Sequence, residues 1–200
     1  MDETTFRNIY NLSDKPIIAL LPGSRKQEIT KMLSIMLSLT DNFTDFEFVV
    51  AGAPSQDFSY YENIIGNKKV GFVNNKTYDL LTFSYAALVA SGTATLETAL
   101  FKVPQVVCFK GSTISYLIAK RIITLKFISL VNLIMNKEVV KELIQNDFTK
   151  NNLKKELIKI LDPIYREKLF SSYFELENIL GGKGASSKVA KQIVSDLKSI

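Results

Sequence analysis

The sequence predicts an α/β protein: a Rossmann-like parallel sheet of about six strands, flanked by helices and followed by an all-helical C-terminal tail. Three observations point to this fold class. Short apolar runs, rich in β-branched residues, alternate with stretches that have helical spacing. Most of these runs are apolar throughout, which is typical of strands buried on both faces of a parallel sheet. After about residue 135 only helical patterns remain.

Six successive apolar runs are predicted to be strands. They are PIIALL (16–21), FEFVVAG (46–52), KVGFV (69–73), AALVAS (86–91), PQVVCF (104–109) and FISLVNLI (127–134). Strands that alternate with helices form βαβ units with right-handed crossovers. We therefore expect each strand to run parallel to its neighbours.

Helices are predicted where apolar residues recur at intervals of three and four. The apolar stripes are Ile29, Met32, Leu33, Met36 and Leu37 within 26–40; Ile114, Leu117, Ile118 and Ile122 within 112–123; Leu153, Leu157, Ile158 and Leu161; Leu169, Tyr173, Leu176 and Ile179; and Val189, Ile193, Val194, Leu197 and Ile200. A glycine-rich break, GGKGASS (181–187), precedes the last stripe. We divide the chain into a linker at 1–14, a ligand-binding Rossmann-like domain at 15–180, and a hinge with a terminal helix at 181–200.

The composition excludes several classes of function. The net charge of +5 favours an anionic partner, such as a nucleotide, a nucleic acid or an acidic lipid surface. The single cysteine, Cys108, lies in an apolar run, so we expect a buried and unreactive thiol. The chain has no histidine, which removes Ser-His and Cys-His nucleophile pairs and histidine-based zinc sites. No run is long enough to span a membrane and the N-terminus is too polar for a signal peptide, so we expect a cytoplasmic protein.

The junction LLPGSRKQEI (21–30) places two cations in the first turn of a predicted helix, where the helix dipole disfavours positive charge. Ser24 and Gln27 match a capping box, but that pattern leaves the cations unexplained. Gly23 allows a ligand to approach the backbone closely, and Arg25 adds a bidentate donor beside the free N–H groups of the helix. The junction therefore favours a phosphate or diphosphate. It lacks the Lys-Ser/Thr ending of a P-loop, which disfavours ATP hydrolysis.

A second junction, ASGTATLETALFK (90–102), supplies small hydroxyl groups and bare backbone at another helix start. In one interpretation Thr93 is only an N-cap and Glu97 only complements the helix dipole. In the other, Gly92, Thr93 and Thr95 bind a phosphate while Glu97 accepts hydrogen bonds from both hydroxyls of a ribose.

A third stretch, ISLVNLIMNKEVVKELIQND (128–147), contains one polar residue inside an apolar run. The side-chain amide of Asn132 is either a satisfied turn residue or a ligand contact, and the spacing of the residues does not decide between them.

Together, LLPGSRKQEI, SGTATLETALFKVPQVV and SLVNLIMNKEVVKELIQ resemble the lipid-A-disaccharide synthases in order and spacing, over about residues 12–180. The resemblance is to the C-terminal, donor-nucleotide half of a two-domain, B-type glycosyltransferase, so that 15–180 is expected to bind a UDP-sugar. It implies transfer of 2,3-diacylglucosamine from its UDP conjugate to 2,3-diacylglucosamine 1-phosphate. The product is the β-1,6-linked lipid A disaccharide, formed with inversion and release of UDP.

The resemblance also implies a role for individual residues. The implied positions are Gly23, Ser24 and Arg25 at the diphosphate, Gly92, Thr93 and Thr95 at the phosphates, Glu97 at the ribose, Asn132 near the donor sugar or diphosphate, and Phe72 and Val73 at the uracil. It implies no cofactor and no metal, because positive side chains and helix dipoles would stabilise the leaving UDP. The catalytic base is expected in an N-terminal half outside these residues. Lys137 stands where the family commonly has an arginine, and its role is left open.

The implied location is the inner face of the inner membrane of a Gram-negative bacterium, with peripheral attachment. The segment 110–127, which includes Lys120 and Arg121, is expected to be either a core-packing helix with a basic edge or a lipid-facing helix. The terminal helix is expected to be partly exposed or to form a homodimer. The alternatives are a non-catalytic nucleotide-binding module and another UDP-sugar enzyme, such as an epimerase. Nucleic acid is disfavoured because no aromatic residues interleave with a basic stripe.

Overall fold

The computed structural model describes residues 1–111, 126–181 and 184–198. At its centre is a six-stranded parallel sheet with the order β3-β2-β1-β4-β5-β6. The strands are β1 (Ile17–Leu21), β2 (Glu47–Gly52), β3 (Gly71–Asn74), β4 (Ser84–Ala90), β5 (Gln105–Phe109) and β6 (Lys141–Ile144). The strand order reverses between β1 and β4, and open α/β sheets bind their ligands at the carboxyl ends of the strands beside such a switch point.

The described helices flank this sheet. They are α1 (Glu3–Ile9), α2 (Lys26–Leu37), α3 (Phe58–Ile65), α4 (Thr77–Thr82), α5 (Thr93–Leu100), α6 (Leu130–Met135), α7 (Lys150–Leu161), α8 (Pro163–Ile179) and α9 (Ala185–Lys198). None of the helices in the described ranges has both the length and the apolar content needed to cross a membrane.

The central strand β1 is buried on both faces, as its continuous apolar run predicts. Ile18 and Leu20 belong to the larger core cluster, which also contains the apolar faces of α2, α7 and α8. Ile17, Ala19 and Leu21 belong to a smaller cluster, formed with α1 and α4 on the other face. Helices lie on both sides of the sheet because the apolar side chains on both of its faces have to be buried.

The single thiol lies within this core. Cys108 on β5 is fully buried, and its burial raises the pKa of the thiol well above the ordinary value. A thiol that stays protonated in apolar surroundings is a weak nucleophile. The prediction of a buried Cys108 is confirmed, and burial gives the physical reason to expect low reactivity.

The first five predicted strands are confirmed, but the sixth is wrong. Leu130–Met135 forms helix α6, because Ser129 caps it and its hydroxyl accepts a hydrogen bond from the Asn132 N–H at 3.3 Å. The sixth strand is instead Lys141–Ile144, so the region after residue 135 contains a strand as well as helices. This edge strand pairs with β5 alone and is only half-buried, so its sequence lacks the apolar run of a central strand.

The helical tail follows the predicted stripes with two exceptions. Ile158 and Ile179 are exposed, with 52% and 56% of their surface accessible, whereas Glu156 lies in the buried face of α7. Its carboxylate forms an ion pair with Lys159 at 2.7 Å. In α9 the apolar stripe from Val189 to Leu197 is exposed, as expected. The helix predicted at 112–123, and Ile200, lie outside the described residues.

The first fourteen residues contribute to the core. Phe6 on α1 is fully buried and packs against Tyr10 and Phe83, with ring centroids 5.1 and 5.2 Å apart. Arg7 pairs with Glu3 at 2.7 Å, which holds the helix together at its surface. The segment predicted as a linker is therefore packed against the sheet, while the domain boundaries themselves stay predictions.

Replacing Phe6→Ala is expected to lower the free energy of unfolding by about 3–4 kcal/mol, because it removes a buried aromatic ring and leaves a cavity. Urea unfolding followed by circular dichroism measures this loss. The matched control is Ile9→Ala on the same helix, where the side chain is 55% exposed and the loss should stay below about 1 kcal/mol. Equal effects of the two changes would contradict the packing of α1.

Candidate functional site

A cavity of about 350 Å³ opens at the carboxyl edge of the sheet, beside the switch point between β1 and β4. We call it the switch-point cavity. It is lined by Leu21, Gly23, Ser24 and Glu28 of the β1–α2 junction, by 51–54 after β2, by Thr77, and by 90–94 and Glu97 of the β4–α5 junction. Two of the three junctions singled out from the sequence therefore meet in one cavity.

The β1–α2 junction turns at a glycine and opens α2 without a side-chain cap. Gly23 has a φ of +99°, which L side chains rarely adopt, and an added Cβ would lie 3.0 Å from the carboxylate of Glu28. The N-cap residue is Arg25, and its side chain does not cap the helix. The capping box of Ser24 and Gln27 is therefore not formed, so no side chain takes up the N–H groups of the first turn.

The β4–α5 junction has a similar opening. Gly92 is the N-cap of α5, and a glycine has no side chain that could accept a hydrogen bond from the first N–H groups of the helix. The interpretation of Thr93 as the cap is therefore wrong. Thr93 is exposed on the cavity wall, and an added Cβ on Gly92 would meet open space. Thr95 is fully buried and its hydroxyl donates to the Gly92 carbonyl at 2.8 Å, so the structure does not place Thr95 on the wall.

Side-chain caps are distributed unevenly over the described helices. The helices that follow the first four strands, α2 to α5, have none. The capped helices are α1, α6, α7 and α8, whose caps are Asp2, Ser129, Thr149 and Asp162. Because uncapped N-termini present free N–H groups and the positive end of a helix dipole, the carboxyl edge of the sheet is suited to an anion.

The charged groups that line the switch-point cavity in the described structure are both carboxylates, Glu28 and Glu97. Arg25 lies next to it: its side chain is 83% exposed and pairs with Glu28 at 3.3 Å. Arg25 lines a neighbouring cavity, also of about 350 Å³, with Glu28 in the shared wall. We call this second space the basic cavity. Its remaining lining residues are Lys26, Gln27, Lys31, Phe109, Lys110 and Gly111.

Asn132 has no free hydrogen-bonding capacity. Its amide oxygen accepts from the backbone N–H groups of Val139 and Val140 at 2.8 and 3.0 Å, and its amide nitrogen donates to the Val140 carbonyl and to Glu142 at 2.8 and 2.9 Å. The side chain is fully buried. Asn132 lies in α6 and its amide is satisfied by the segment that leads into β6, while its implied position near the donor sugar or diphosphate stays a prediction.

Glu142 is a residue that sequence reasoning missed. Its carboxylate accepts from the backbone N–H groups of Ile128 and Ser129 at 3.0 and 2.9 Å, from the Ser129 hydroxyl at 2.7 Å and from Asn132. Ser91, on the wall of the switch-point cavity, donates to the Ile128 carbonyl at 3.1 Å. Glu142 thus positions the segment that touches the end of β4. The sequence offers no signal for this role, because the strand that carries Glu142 lacks an apolar run and was not predicted.

The two residues expected at the uracil do not line the switch-point cavity. Val73 is fully buried in the smaller core cluster. Phe72 packs against Phe58 and Tyr61, with ring centroids 4.8 and 5.1 Å apart, and fills the space that a side chain at Gly52 would need. Gly52 itself lies on the cavity wall, so Phe72 supports the wall from behind.

Two further features complete the surroundings. Lys137, in the turn after α6, forms an ion pair with Glu175 of α8 at 2.6 Å. This ion pair connects the turn to α8 at the protein surface. No group of three or more histidine, cysteine, aspartate or glutamate side chains that could hold a metal ion occurs among residues 1–111, 126–181 and 184–198.

A family model described as lipid-A-disaccharide synthetase matches residues 3–193, almost the whole chain. The chain belongs to the lipid-A-disaccharide synthetase family. The lipid-A-disaccharide synthase of Syntrophus aciditrophicus is 35% identical over 204 residues, covering 98% of this chain and 53% of that protein. That of Coxiella burnetii (strain CbuG_Q212) is 33% identical, covering 92% of this chain and 50% of that protein. The chain therefore spans about half the length of these relatives.

Solved structures confirm the fold predicted for this member of the lipid-A-disaccharide synthetase family. The C-terminal domain of a group 1 glycosyl transferase from Francisella tularensis has a TM-score of 0.60 at 12% identity, covering 92% of this chain and 94% of that domain. Staphylococcus aureus MnaA in a co-structure with UDP has a TM-score of 0.63 at 17% identity, covering 100% of this chain and 50% of MnaA. The chain has the fold of one half of a B-type glycosyltransferase.

Replacing Asn132→Ala is expected to lower the free energy of unfolding by about 3–5 kcal/mol, because it leaves buried donors and acceptors without partners. The affinity of the folded protein for UDP should change less than about twofold. Chemical unfolding and a nucleotide titration test the two statements. The control is Asn63→Ala, an exposed residue of α3. Lost UDP affinity with unchanged stability would show that Asn132 contacts the ligand.

Proposed function

We propose that this chain is the donor half of a lipid-A-disaccharide synthase and binds UDP-2,3-diacylglucosamine. The complete enzyme transfers the diacylglucosamine to 2,3-diacylglucosamine 1-phosphate, with inversion and release of UDP. The observation that carries this proposal is the switch-point cavity, where two uncapped helix N-termini and two half-buried carboxylates, Glu28 and Glu97, converge. Family membership supports the transferase over the epimerase alternative.

The diphosphate is proposed to lie between the N-termini of α2 and α5. Both helices begin beside that space without a side-chain cap, so their free N–H groups and dipoles favour an anion there, and the hydroxyls of Ser24 and Thr93 add two donors. As the glycosidic bond to UDP breaks, negative charge grows on the leaving phosphate. Donors that are positioned in advance stabilise this charge without further reorganisation.

Glu97 is proposed to bind the ribose. Its carboxylate lies one turn into α5, on the wall of the same cavity. A carboxylate close to a diphosphate is repulsive unless its oxygens accept hydrogen bonds from another part of the ligand. The two ribose hydroxyls are such donors, and a carboxylate accepts both at once. With this role, Glu97 gives the ribose a position of its own in the cavity, apart from that of the phosphates.

Arg25 is proposed to move from Glu28 to the diphosphate when the nucleotide binds. In the structure its guanidinium is exposed and its ion pair with Glu28 is 3.3 Å long. An exposed pair of this kind contributes at most about 1 kcal/mol, so exchanging it for a doubly charged phosphate group is favourable. Arg25 then adds a formal positive charge to a site that otherwise offers dipoles.

The acceptor site and the catalytic base are proposed to belong to the half of the relatives that this chain does not cover. The exposed stripe of α9 is proposed to pack against that half or against a second copy, since an apolar helix face gains stability when it is covered.

We also propose peripheral attachment to the inner face of the inner membrane, through the basic and apolar segment 110–127. Lys120 and Arg121, which carry that idea, lie outside the described residues.

Arg25→Ala is expected to weaken UDP binding roughly tenfold or more, from the loss of a charge-assisted contact worth about 1.5–3 kcal/mol, and to leave uridine binding almost unchanged. Glu97→Gln should weaken uridine as much as UDP and should reduce the preference for uridine over 2′-deoxyuridine. Competition titrations with a fluorescent nucleotide measure these ratios, with Glu62→Gln on the exposed face of α3 as the control. Equal losses for UDP and uridine in the Arg25 variant would refute its assignment to the diphosphate.

The chain by itself is expected to bind UDP but to form no disaccharide. A reaction between two substrates loses the advantage of proximity when one of them has no site. The measurement is a radiolabelled transferase assay with both lipid substrates, beside a UDP titration of the same preparation. Disaccharide formed by these 200 residues alone would contradict the division of labour between the two halves.

Binding to vesicles tests the proposed attachment to a membrane. Co-sedimentation should require anionic lipid and should fall as salt rises, because screening weakens attraction between a basic segment and a charged surface. The paired change of Lys120→Glu and Arg121→Glu should weaken it further. Equal binding to neutral vesicles, or binding to neither kind, would favour the core-packing interpretation of 110–127.

A further inference from the structure

A glutamine lies inside the apolar core, at the first residue of β5. Gln105 is fully buried, like the apolar residues Val106 and Val107 that follow it. Its amide nitrogen donates to the Thr95 carbonyl of α5 at 2.8 Å, whereas its amide oxygen has no hydrogen-bond partner within the described structure. A buried polar atom without a partner costs free energy, because it has lost its water. An apolar residue of the same shape would serve the core at least as well, so stability alone does not explain Gln105.

The hydroxyl of Tyr173, on α8, lies near the same amide. Tyr173 is fully buried. Burial raises the pKa of its hydroxyl well above the ordinary value, and the nearby Gln105 offsets part of this rise. The hydroxyl nevertheless forms no hydrogen bond within the described structure. Among the described residues, the amide of Gln105 is therefore hydrogen-bonded on the side that faces α5 alone.

The start of α5 has little local support. The helix has eight residues, its N-cap Gly92 offers no side-chain cap, and an added Cβ on Gly92 would meet open space. Short helices without a cap tend to fray at their ends. The buried Thr95 supports this start from inside, since its hydroxyl donates to the Gly92 carbonyl at 2.8 Å. Two hydrogen bonds thus lead from Gln105 on β5, through Thr95, to the N-cap of α5.

The beginning of α5 is also the part of the helix that lines the switch-point cavity. Gly92, Thr93 and Glu97 all lie on the cavity wall, while Gln105 does not. A binding site gains affinity when its groups are held in place before the ligand arrives. Any displacement of the first turn of α5 would move these groups away from the ligand.

We propose that Gln105 is a positioning residue of the nucleotide site. Acting through Thr95, it holds the first turn of α5 so that Thr93 and Glu97 stand where the nucleotide needs them. This inference rests on the proposed function, in which Glu97 binds the ribose. It gives the buried amide a role in affinity, and in the recognition of the ribose, that is separate from the stability of the core.

The variant Gln105→Met keeps the length of the side chain and removes the amide. Its free energy of unfolding should be unchanged or higher, because an unpaired buried oxygen is gone. Its affinities for UDP and uridine should both fall roughly threefold to tenfold, the range that corresponds to one net hydrogen bond. The preference for uridine over 2′-deoxyuridine should be largely lost, since Glu97 is no longer held in place. Urea unfolding and calorimetric titrations measure these quantities.

The matched control is Thr98→Val. Thr98 is fully buried in the same helix, its hydroxyl donates to the Ala94 carbonyl at 2.7 Å, and it does not line the cavity. This change should lower the stability and leave the nucleotide affinities within about twofold. A merely structural role for Gln105 would give the same result as this control, with stability lost and affinity kept.

A second pair of variants tests the next hydrogen bond toward Gly92, and it decides the matter even if the Gln105 variant does not fold. Thr95→Val removes that bond and should also reduce the preference for uridine over 2′-deoxyuridine, whereas Thr95→Ser keeps the hydroxyl and should preserve it. A loss confined to UDP in Thr95→Val would assign its hydroxyl to the phosphates and overturn the inference.

Two further results would overturn the positioning role: unchanged nucleotide affinity in folded Gln105→Met, and an equal loss of affinity in Thr98→Val. The unaltered protein separates this failure from that of the proposed function. If it does not bind UDP, or binds uridine and 2′-deoxyuridine equally well, the proposed nucleotide site or the assignment of Glu97 to the ribose is refuted, and the role of Gln105 is refuted with it.

Discussion

The parallel pairing of β1 with β4 is the contact on which the rest of this structure depends. The two strands are distant in sequence but run side by side, with Leu21 opposite Val89 at their carboxyl ends. Because the strand order reverses between them, the loops that follow β1 and β4 diverge to opposite faces and leave a gap. That gap is the switch-point cavity. Burial of both faces of β1 in turn requires helices on both sides, which brings the N-termini of α2 and α5 to the gap.

The carboxyl edge combines two ways of holding negative charge. Helix N-termini without side-chain caps provide neutral donors that cost no charge burial, and they line the cavity that also contains Glu97. Formal positive charges gather next to it, in the basic cavity, on the other side of Glu28. Separating the carboxylates from most of the cations keeps the two sets from neutralising each other in the absence of ligand. Among the described residues, Arg25 and Glu28 form the one ion pair across the boundary.

Structural polar groups and ligand-binding polar groups are also separate in this fold. Asn132, Ser129 and Glu142 satisfy one another and the turn before β6, so their buried atoms have partners without any ligand. Thr95 satisfies its own helix turn in the same way. Such networks are costly to break and hold nearby loops in one position. Through Ile128 the network reaches Ser91, so a rigid segment backs one wall of the cavity.

The sequence alone determined the parallel sheet, five of its strands, and the presence of a helix after each of the two junctions that form the cavity. It could do so because burial on both faces of a strand produces a continuous apolar run, and a helix produces apolar residues at intervals of three and four. It also placed Gly23, Thr93 and Glu97 at the cavity, since residues just after parallel strands always lie at the carboxyl edge. Only the tertiary structure decided the partners of Asn132, the burial of Thr95 and the position of Arg25 in the neighbouring cavity. A polar side chain bonds to whatever the packing brings near it. For Asn132 those partners are Val139, Val140 and Glu142, which reach it only because the chain turns back after α6 to form an edge strand.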